Sequence, residues 1–246
     1  MTVTASVSRD RVALALDTDD LVEAVRVGAR LRPWFGVAKI GLELYSAAGP
    51  DAIGHLADLG YRVFVDLKIH DMPEVAHSAG RVLGSLGATY VTFHARGGVA
   101  MLSAGVEGLR AGAGDAGLDA PVPLAVTVLL SDGHAPPHLV PERVVAAAEA
   151  GCGGIVCAAD DLATIAEVAP RLIRVVPGIR AEGPPHVDQP RAVTPRAALG
   201  AGADLIVIGR AVTSAPDPEV AANALLGDVV APRVAPVGGL AGGSSR

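Results

Sequence analysis

Residues 62–73 read RVFVDLKIHDMP. The first half has the makings of a covered strand, with Val63, Phe64, Val65 and Leu67 all apolar and β-branched or aromatic types that suit a pleated, packed surface. The second half is different. Asp66, Lys68, His70 and Asp71 fall within six positions, and buried strands rarely carry ionisable groups unless those groups are paired. Side chains two apart on a strand share a face. Asp66 and Lys68 therefore point the same way, inward, while Val63 and Val65 face the opposite layer. Asp71 lies past the strand, where pleating does not fix its direction. Pro73 then opens a helical segment that closes at Gly87, as proline favours the first helical position and glycine the stop. The stretch is one strand-to-helix unit with charge at the junction.

The unit recurs. Apolar runs of strand length occupy 11–17, 36–41, 62–68, 90–95, 123–130, 154–159, 173–179 and 205–212, at the spacing of successive βα units. Helix punctuation lies between them. Asp19-Asp20 precedes a periodic stretch ending at Pro33. Thr194-Pro195 and Asp217-Pro218 each read as a cap followed by proline, and Gly60, Gly151 and Gly202 sit at helix stops. Eight even units predict a closed (β/α)8 TIM barrel, a single α/β domain over residues 11–227. The alternative is an open doubly wound sheet, disfavoured because no dinucleotide-type G-x-G-x-x-G occurs. Residues 1–10 and 228–246 read as tails, the second ending in the flexible composition APVGGLAGGSSR.

Composition narrows the function. Half of the 246 residues are hydrophobic, and net charge is −6. That argues against a nucleic-acid surface or a basic membrane face. No apolar run reaches the ~20 residues that span a bilayer, and the N-terminus lacks a signal-peptide pattern, so a cytoplasmic protein is expected. Cys152 and Cys157 lie in the apolar GCGGIVCAA and read as buried thiols. Of 20 basic residues only Lys39 and Lys68 are lysines. Lysine can exchange its proton at an accessible pKa and arginine effectively cannot, so two lysines in an arginine-rich chain are informative.

In such a barrel, chemistry sits at the C-terminal ends of the strands. There the runs supply, in order, Asp17, Lys39, Asp66 with Lys68, His94, Ser131-Asp132, Arg180 and Arg210. Alternating carboxylates and ammoniums of Lys39, Asp66, Lys68 and Asp71 would be nearly neutral, which eases burial, and could crowd a further negative group. The reading opposed to this is an ion-pair network that merely plugs the barrel. The loop PGIRAEGPPHVDQPRAVTP and the junction IGRAV follow the seventh and eighth strands, the common phosphate site of the fold. Arg180, Gln189 and Arg210 could add donors there, and the long loop could close as a lid. His134 and His138 could ligate a metal, but their loop lacks an accompanying carboxylate set.

ALD (15–17), AKIG (38–41), DLKIHDMP (66–73), VTVLLS (126–131), VVPGIR (175–180), DQPRAVTP (188–195) and VIGRAVT (207–213) occur in this order. Together they resemble the orotidine 5′-phosphate decarboxylases of bacterial type over residues 11–226. The resemblance implies conversion of orotidine 5′-phosphate to UMP by a homodimeric barrel that uses no metal or organic cofactor. It assigns Lys39, Asp66, Lys68 and Asp71 to a charged catalytic tetrad, with Asp71 donated across the dimer interface. It further implies that Asp17 lies near the ribose, that Ser131 reads the pyrimidine, and that Gln189, Gly209 and Arg210, with Arg180 adjacent, hold the phosphate. Two positions depart from the family pattern: Glu74-Val75 replaces a polar pair ending in Thr, and Leu130 replaces a Thr before Ser131. A magnesium-dependent sugar-phosphate barrel sharing D-x-K-x-x-D would typically carry Glu in place of Lys39. A non-catalytic nucleotide sensor would need the phosphate loops but not two buried lysines.

Overall fold

Each of the eight apolar runs forms a strand in the computed structural model, which describes residues 7–132, 135–181 and 193–230. The strands are β1 (Val12–Leu16), β2 (Val37–Ile40), β3 (Arg62–Ile69), β4 (Tyr90–His94), β5 (Val122–Val126), β6 (Gly154–Val156), β7 (Ile173–Val176) and β8 (Leu205–Ile208). All pair in parallel in chain order, and β8 returns to β1 with Val12 opposite Ile206, closing the barrel. The helices are α1 (Leu21–Leu31), α2 (Leu42–Ala48), α3 (Asp51–Asp58), α4 (Pro73–Ser85), α5 (Gly98–Ala116), α6 (Leu139–Glu149), α7 (Leu162–Val168), α8 (Pro195–Gly200), α9 (Arg210–Thr213) and α10 (Pro218–Leu226).

The punctuation read from the sequence has its physical counterpart. Asp20, Thr194 and Asp217 cap α1, α8 and α10 through side-chain oxygens that accept from backbone N–H groups two or three residues on, satisfying donors that a helix start leaves free. Four strands, β5, β6, β7 and β8, end three or four residues before the expected runs do. The last rung of β5 on β6 is the Thr127 N–H on the Val156 carbonyl, which also accepts from the Thr127 hydroxyl; beyond it the chain turns, the Asp132 N–H closing on the Leu129 carbonyl. β8 stops at Ile208 because the Gly209 carbonyl accepts from Val212 and Thr213 and starts α9. At the margins of the expected domain, the Val7 N–H bonds to the Val229 carbonyl at 2.7 Å, and Val7 bridges the buried Val230.

Alternation sorts the side chains into two cores. Val63, Val65, Val91 and Ile206 belong to the layer between sheet and helices. Ala13, Phe64, Tyr90, Leu124 and Val207 fill the barrel. Phe64 and Tyr90 meet edge to face at 5.8 Å, and the Arg62 guanidinium lies 5.7 Å from the Tyr90 ring, so the N-terminal end of the barrel is plugged and only the opposite end is open.

Helices α4 and α5 pack with almost no side chain between them. A Cβ on Gly84, Gly108 or Gly112 would fall inside the van der Waals shell of the carbonyl of Leu109, His77 or Arg81, respectively. This contact anchors the two helices that lead away from the charged ends of β3 and β4. Gly112→Ala is therefore expected to destabilise the fold by about 2–3 kcal/mol through overpacking, measured as a lower urea midpoint. Gly114→Ala, at a position with open space in the same helix, should be neutral or stabilising.

Candidate active site at the barrel mouth

The inward face of β3 continues from Phe64 to Asp66 and Lys68, and the lysine of β2 reaches the same place because Lys39 pairs with Phe64 one layer below. The result is a linear chain of alternating charge. Asp17 Oδ1 lies 3.2 Å from Lys39 Nζ, Lys39 Nζ lies 3.5 Å from Asp66 Oδ2, and the same oxygen lies 2.9 Å from Lys68 Nζ. The middle of the chain is buried, with the side chains of Lys39 and Asp66 10% and 12% exposed, while Asp17 and Lys68 at its ends are 49% and 39% exposed. Burial by itself would raise the Asp66 pKa. The ammoniums of Lys39 and Lys68 and the hydrogen bonds from Lys68 and Thr92 outweigh it and hold the carboxyl below its ordinary value.

The chain borders a cavity of about 270 Å³ lined by Lys39, Asp66 and Lys68 on one side and by Val126, Val128, Val156 and Val207 among its apolar residues. Low polarizability of such walls strengthens every charge interaction in the site. Ser131 and Leu130 also line it, so the hydroxyl expected to read the pyrimidine shares a cavity with the lysines, and Leu130 beside it presents an apolar wall. Gly209 abuts the array from β8: a Cβ there would sit 3.2 Å from the Ala15 Cβ and 3.8 Å from Asp17 Oδ2.

Other expected residues lie apart from the cavity lining. Asp71 is exposed and its carboxylate accepts from the Met72 N–H at 2.7 Å; among the described residues no ion pair joins it to the array. Arg180 follows β7, half-buried, with its backbone N–H on the Val193 carbonyl. Arg210 is exposed at the start of α9. Gln189 and His134 lie outside the described residues. Cys152 and Cys157 are free and buried; burial pushes the Cys152 thiol up to about 12 and the Cys157 thiol higher as well. Among the described residues no three His, Cys, Asp or Glu side chains group as a metal site, and no helix is long and apolar enough to cross a membrane.

Two positions escape a reading by charge. Gly41 ends the AKIG motif, and a Cβ there would lie 2.5 Å from Asp17 Oδ1 and 3.2 Å from Lys39 Nζ, so its bareness leaves room for that ion pair. Thr92 is fully buried on β4, and its hydroxyl donates to Asp66 Oδ1 at 3.0 Å. Its signal is in the sequence: a hydroxyl residue between Tyr90 and His94 on the inward face of YVTFH. His94, on the same face, accepts from the Arg96 N–H through Nδ1; burial, then Arg143, His70, Arg96 and Lys68, hold its pKa below the ordinary value.

This geometry agrees with what the chain is similar to. Residues 10–225 match the Orotidine 5'-phosphate decarboxylase / HUMPS family. The chain belongs to that family. It is 40% identical to the orotidine 5′-phosphate decarboxylase of Moorella thermoacetica, over 90% of this chain and 93% of that protein. It is likewise 40% identical to that of Anaeromyxobacter sp. strain K, over 88% and 96%. The crystal structure of the Lactobacillus acidophilus orotidine 5′-phosphate decarboxylase superposes with a TM-score of 0.75 at 32% identity, covering 90% of this chain and all of that one.

The depressed pKa of Asp66 sets a pH dependence. An unfolded carboxyl takes up its proton near pH 4 and the folded one at lower pH, so the stabilisation is complete above about pH 4 and is lost as pH falls through the folded value. Asp66→Asn leaves Lys39 and Lys68 without their shared partner and should cost about 3 kcal/mol in urea unfolding at pH 7. The gap to wild type should narrow at about pH 3; an equal gap at both pH values would contradict the ion-pair account.

Proposed function

We infer that the barrel-mouth array carries out the reaction for which the family is named, the decarboxylation of orotidine 5′-phosphate to UMP in pyrimidine biosynthesis. The observation that carries this reading is the buried Asp66 carboxylate held between two ammoniums at the edge of an otherwise apolar cavity. The C6–carboxylate bond breaks heterolytically, CO2 leaves, and the electron pair stays on C6. A proton from Lys68 Nζ then fills C6, and solvent restores the lysine. The site must therefore favour charge at C6 over charge on the substrate carboxylate. Asp66, ionised at neutral pH, repels the substrate carboxylate. Lys68, 2.9 Å from Asp66, stabilises the growing charge and donates the proton. Lys39 keeps Asp66 ionised from the far side, and Asp17 orients Lys39 and offers its open oxygen to a ribose hydroxyl.

Ser131 reads the pyrimidine edge, and Gly209, Arg210, Arg180 and Gln189 hold the phosphate at the ends of β7 and β8. Binding energy collected by the phosphate offsets the crowding at C6. No step in this chemistry calls for a metal, so turnover is expected to persist in excess EDTA. The enzyme acts in the cytoplasm as a homodimer, to which Asp71 contributes across the interface. Support for the dimer comes from Leu42, Met72, Val75 and Val99, which are exposed at the starts of α2, α4 and α5 and follow the neighbouring strands β2, β3 and β4. Large apolar side chains clustered on one side of the mouth mark an interaction surface, and Asp71 sits within that margin, its carboxylate on the Met72 N–H and in no ion pair with its own Lys68.

Lys68→Ala should lose several orders of magnitude in turnover while still binding UMP, followed by the ultraviolet change of orotidine 5′-phosphate and by titration. Near-normal turnover would remove the assignment. For the shared site, Lys68→Ala and Asp71→Ala homodimers, each nearly inactive, should regain about a quarter of wild-type activity when mixed and allowed to exchange, because each two-fold hybrid restores one intact site. No recovery on exchange would place Asp71 outside the partner's site.

A further inference from the structure

Lys68 has a positive φ of 52°, the one such value at a residue other than glycine among the described residues. A side chain in this left-handed region is strained and persists only where its surroundings enforce it. Here the enforcement comes from β4. Val65 pairs with Val91 and Ile69 with Phe93, so β3 takes four steps where β4 takes two. The surplus forms a bulge that takes the Lys68 N–H out of the ladder, and an N–H in this partly buried position needs another acceptor.

Thr92 Oγ1 is that acceptor, at 2.9 Å. The same oxygen donates to Asp66 Oδ1 at 3.0 Å. A hydroxyl has one proton, and an ionised carboxylate can only accept, so the direction of both bonds is fixed. Thr92 is 0% exposed and does not line the cavity; its β-branch restricts rotation of the hydroxyl-bearing carbon. It reaches the substrate only through the two residues it holds.

We propose that Thr92 is a positioning residue that locks the Asp66 carboxylate and the left-handed backbone of Lys68 to one another, aiming the lysine at C6. The inference rests on the reading of Lys68 as the proton donor. Lys68 has a flexible stem and a side chain open to solvent at the mouth. Its two anchors are its own N–H on Thr92 and its Nζ on Asp66 Oδ2, and Thr92 governs both. Releasing them leaves the proposed phosphate and pyrimidine contacts untouched and misplaces only the reacting group, a loss that falls on the chemical step.

Thr92→Val keeps the shape and removes both bonds, whereas Thr92→Ser keeps the hydroxyl. The Val variant should lose about 10- to 100-fold in kcat with KM and UMP affinity within about threefold of wild type. The acid limb of its kcat/KM profile should move to higher pH, because Asp66 has lost a donor that favours its ionised form. The Ser variant should stay within about threefold of wild type in kcat. If the Val variant does not fold, Thr92→Ala, which leaves room for a water, is read by the same criteria. Wild-type kcat in the hydroxyl-free variant would overturn the proposal. So would equal losses of kcat, UMP affinity and melting temperature that Ser fails to rescue, since those mark a role in folding alone. Lys68→Ala measured alongside separates the two levels: activity retained there removes the proton-donor reading itself, whereas activity lost there with an unaffected Thr92→Val removes only the role of Thr92.

Discussion

A carboxylate between two ammoniums, at a barrel mouth lined mainly by apolar side chains, is the constraint on which the rest depends. Asp66 could not stay ionised at its depth without Lys39 and Lys68; Asp66 in turn holds the Lys68 ammonium, and with Asp17 it brackets that of Lys39. Removing charge from water is costly, and only close geometry with satisfied hydrogen bonds repays it. The barrel supplies that geometry. Parallel strands in register bring Lys39 beside Phe64 and hence beneath Asp66, and the chain of alternating charge runs outward to solvent at Asp17 and at Lys68. The same arrangement suits a reaction that must create negative charge at carbon, because the charges are already fixed in place and need no reorganisation when the bond breaks.

The architecture divides its labour along the barrel axis. The N-terminal end is closed by Phe64, Tyr90 and the guanidinium of Arg62, and the C-terminal end carries the polar groups. Stability thus resides in the lower layers and in contacts such as the glycine-faced packing of α4 on α5. Among the described residues, left-handed backbone at a residue other than glycine occurs at the Lys68 bulge alone, beside the charged array.

Much of this was legible from residues alone. All eight strands could be placed because apolar runs of strand length recur between well-marked helix caps, and because Asp20, Pro73, Thr194 and Asp217 are local signals that tertiary contacts did not override. Strand ends were less legible. β5 and β8 look longer in sequence because the residues just past them, Thr127 with Val128 and Gly209 with Ala211, are as apolar or as small as strand residues; the turn closed by the Asp132 N–H on the Leu129 carbonyl and the hydrogen bonds of α9 take the chain out of the ladder. Helix α5, 19 residues long with glycine at 105, 108, 112 and 114, runs against helix propensity; its close approach to α4 accounts for Gly108 and Gly112, and the Phe93 ring of β4 for Gly105.

The sequence by itself determined the barrel, the rim that carries the chemistry, and the shared direction of Asp66 and Lys68, because period-two alternation and the placement of charge are local properties. Tertiary structure alone decided which charges touch, since pairing between Lys39 and Asp66 depends on strand register. It also decided that Lys68 stands on a bulge in left-handed backbone and that Thr92, uncharged and remote in sequence, ties Lys68 to Asp66. Register and bulges arise from neighbouring strands, so no reading of β3 alone could have supplied them.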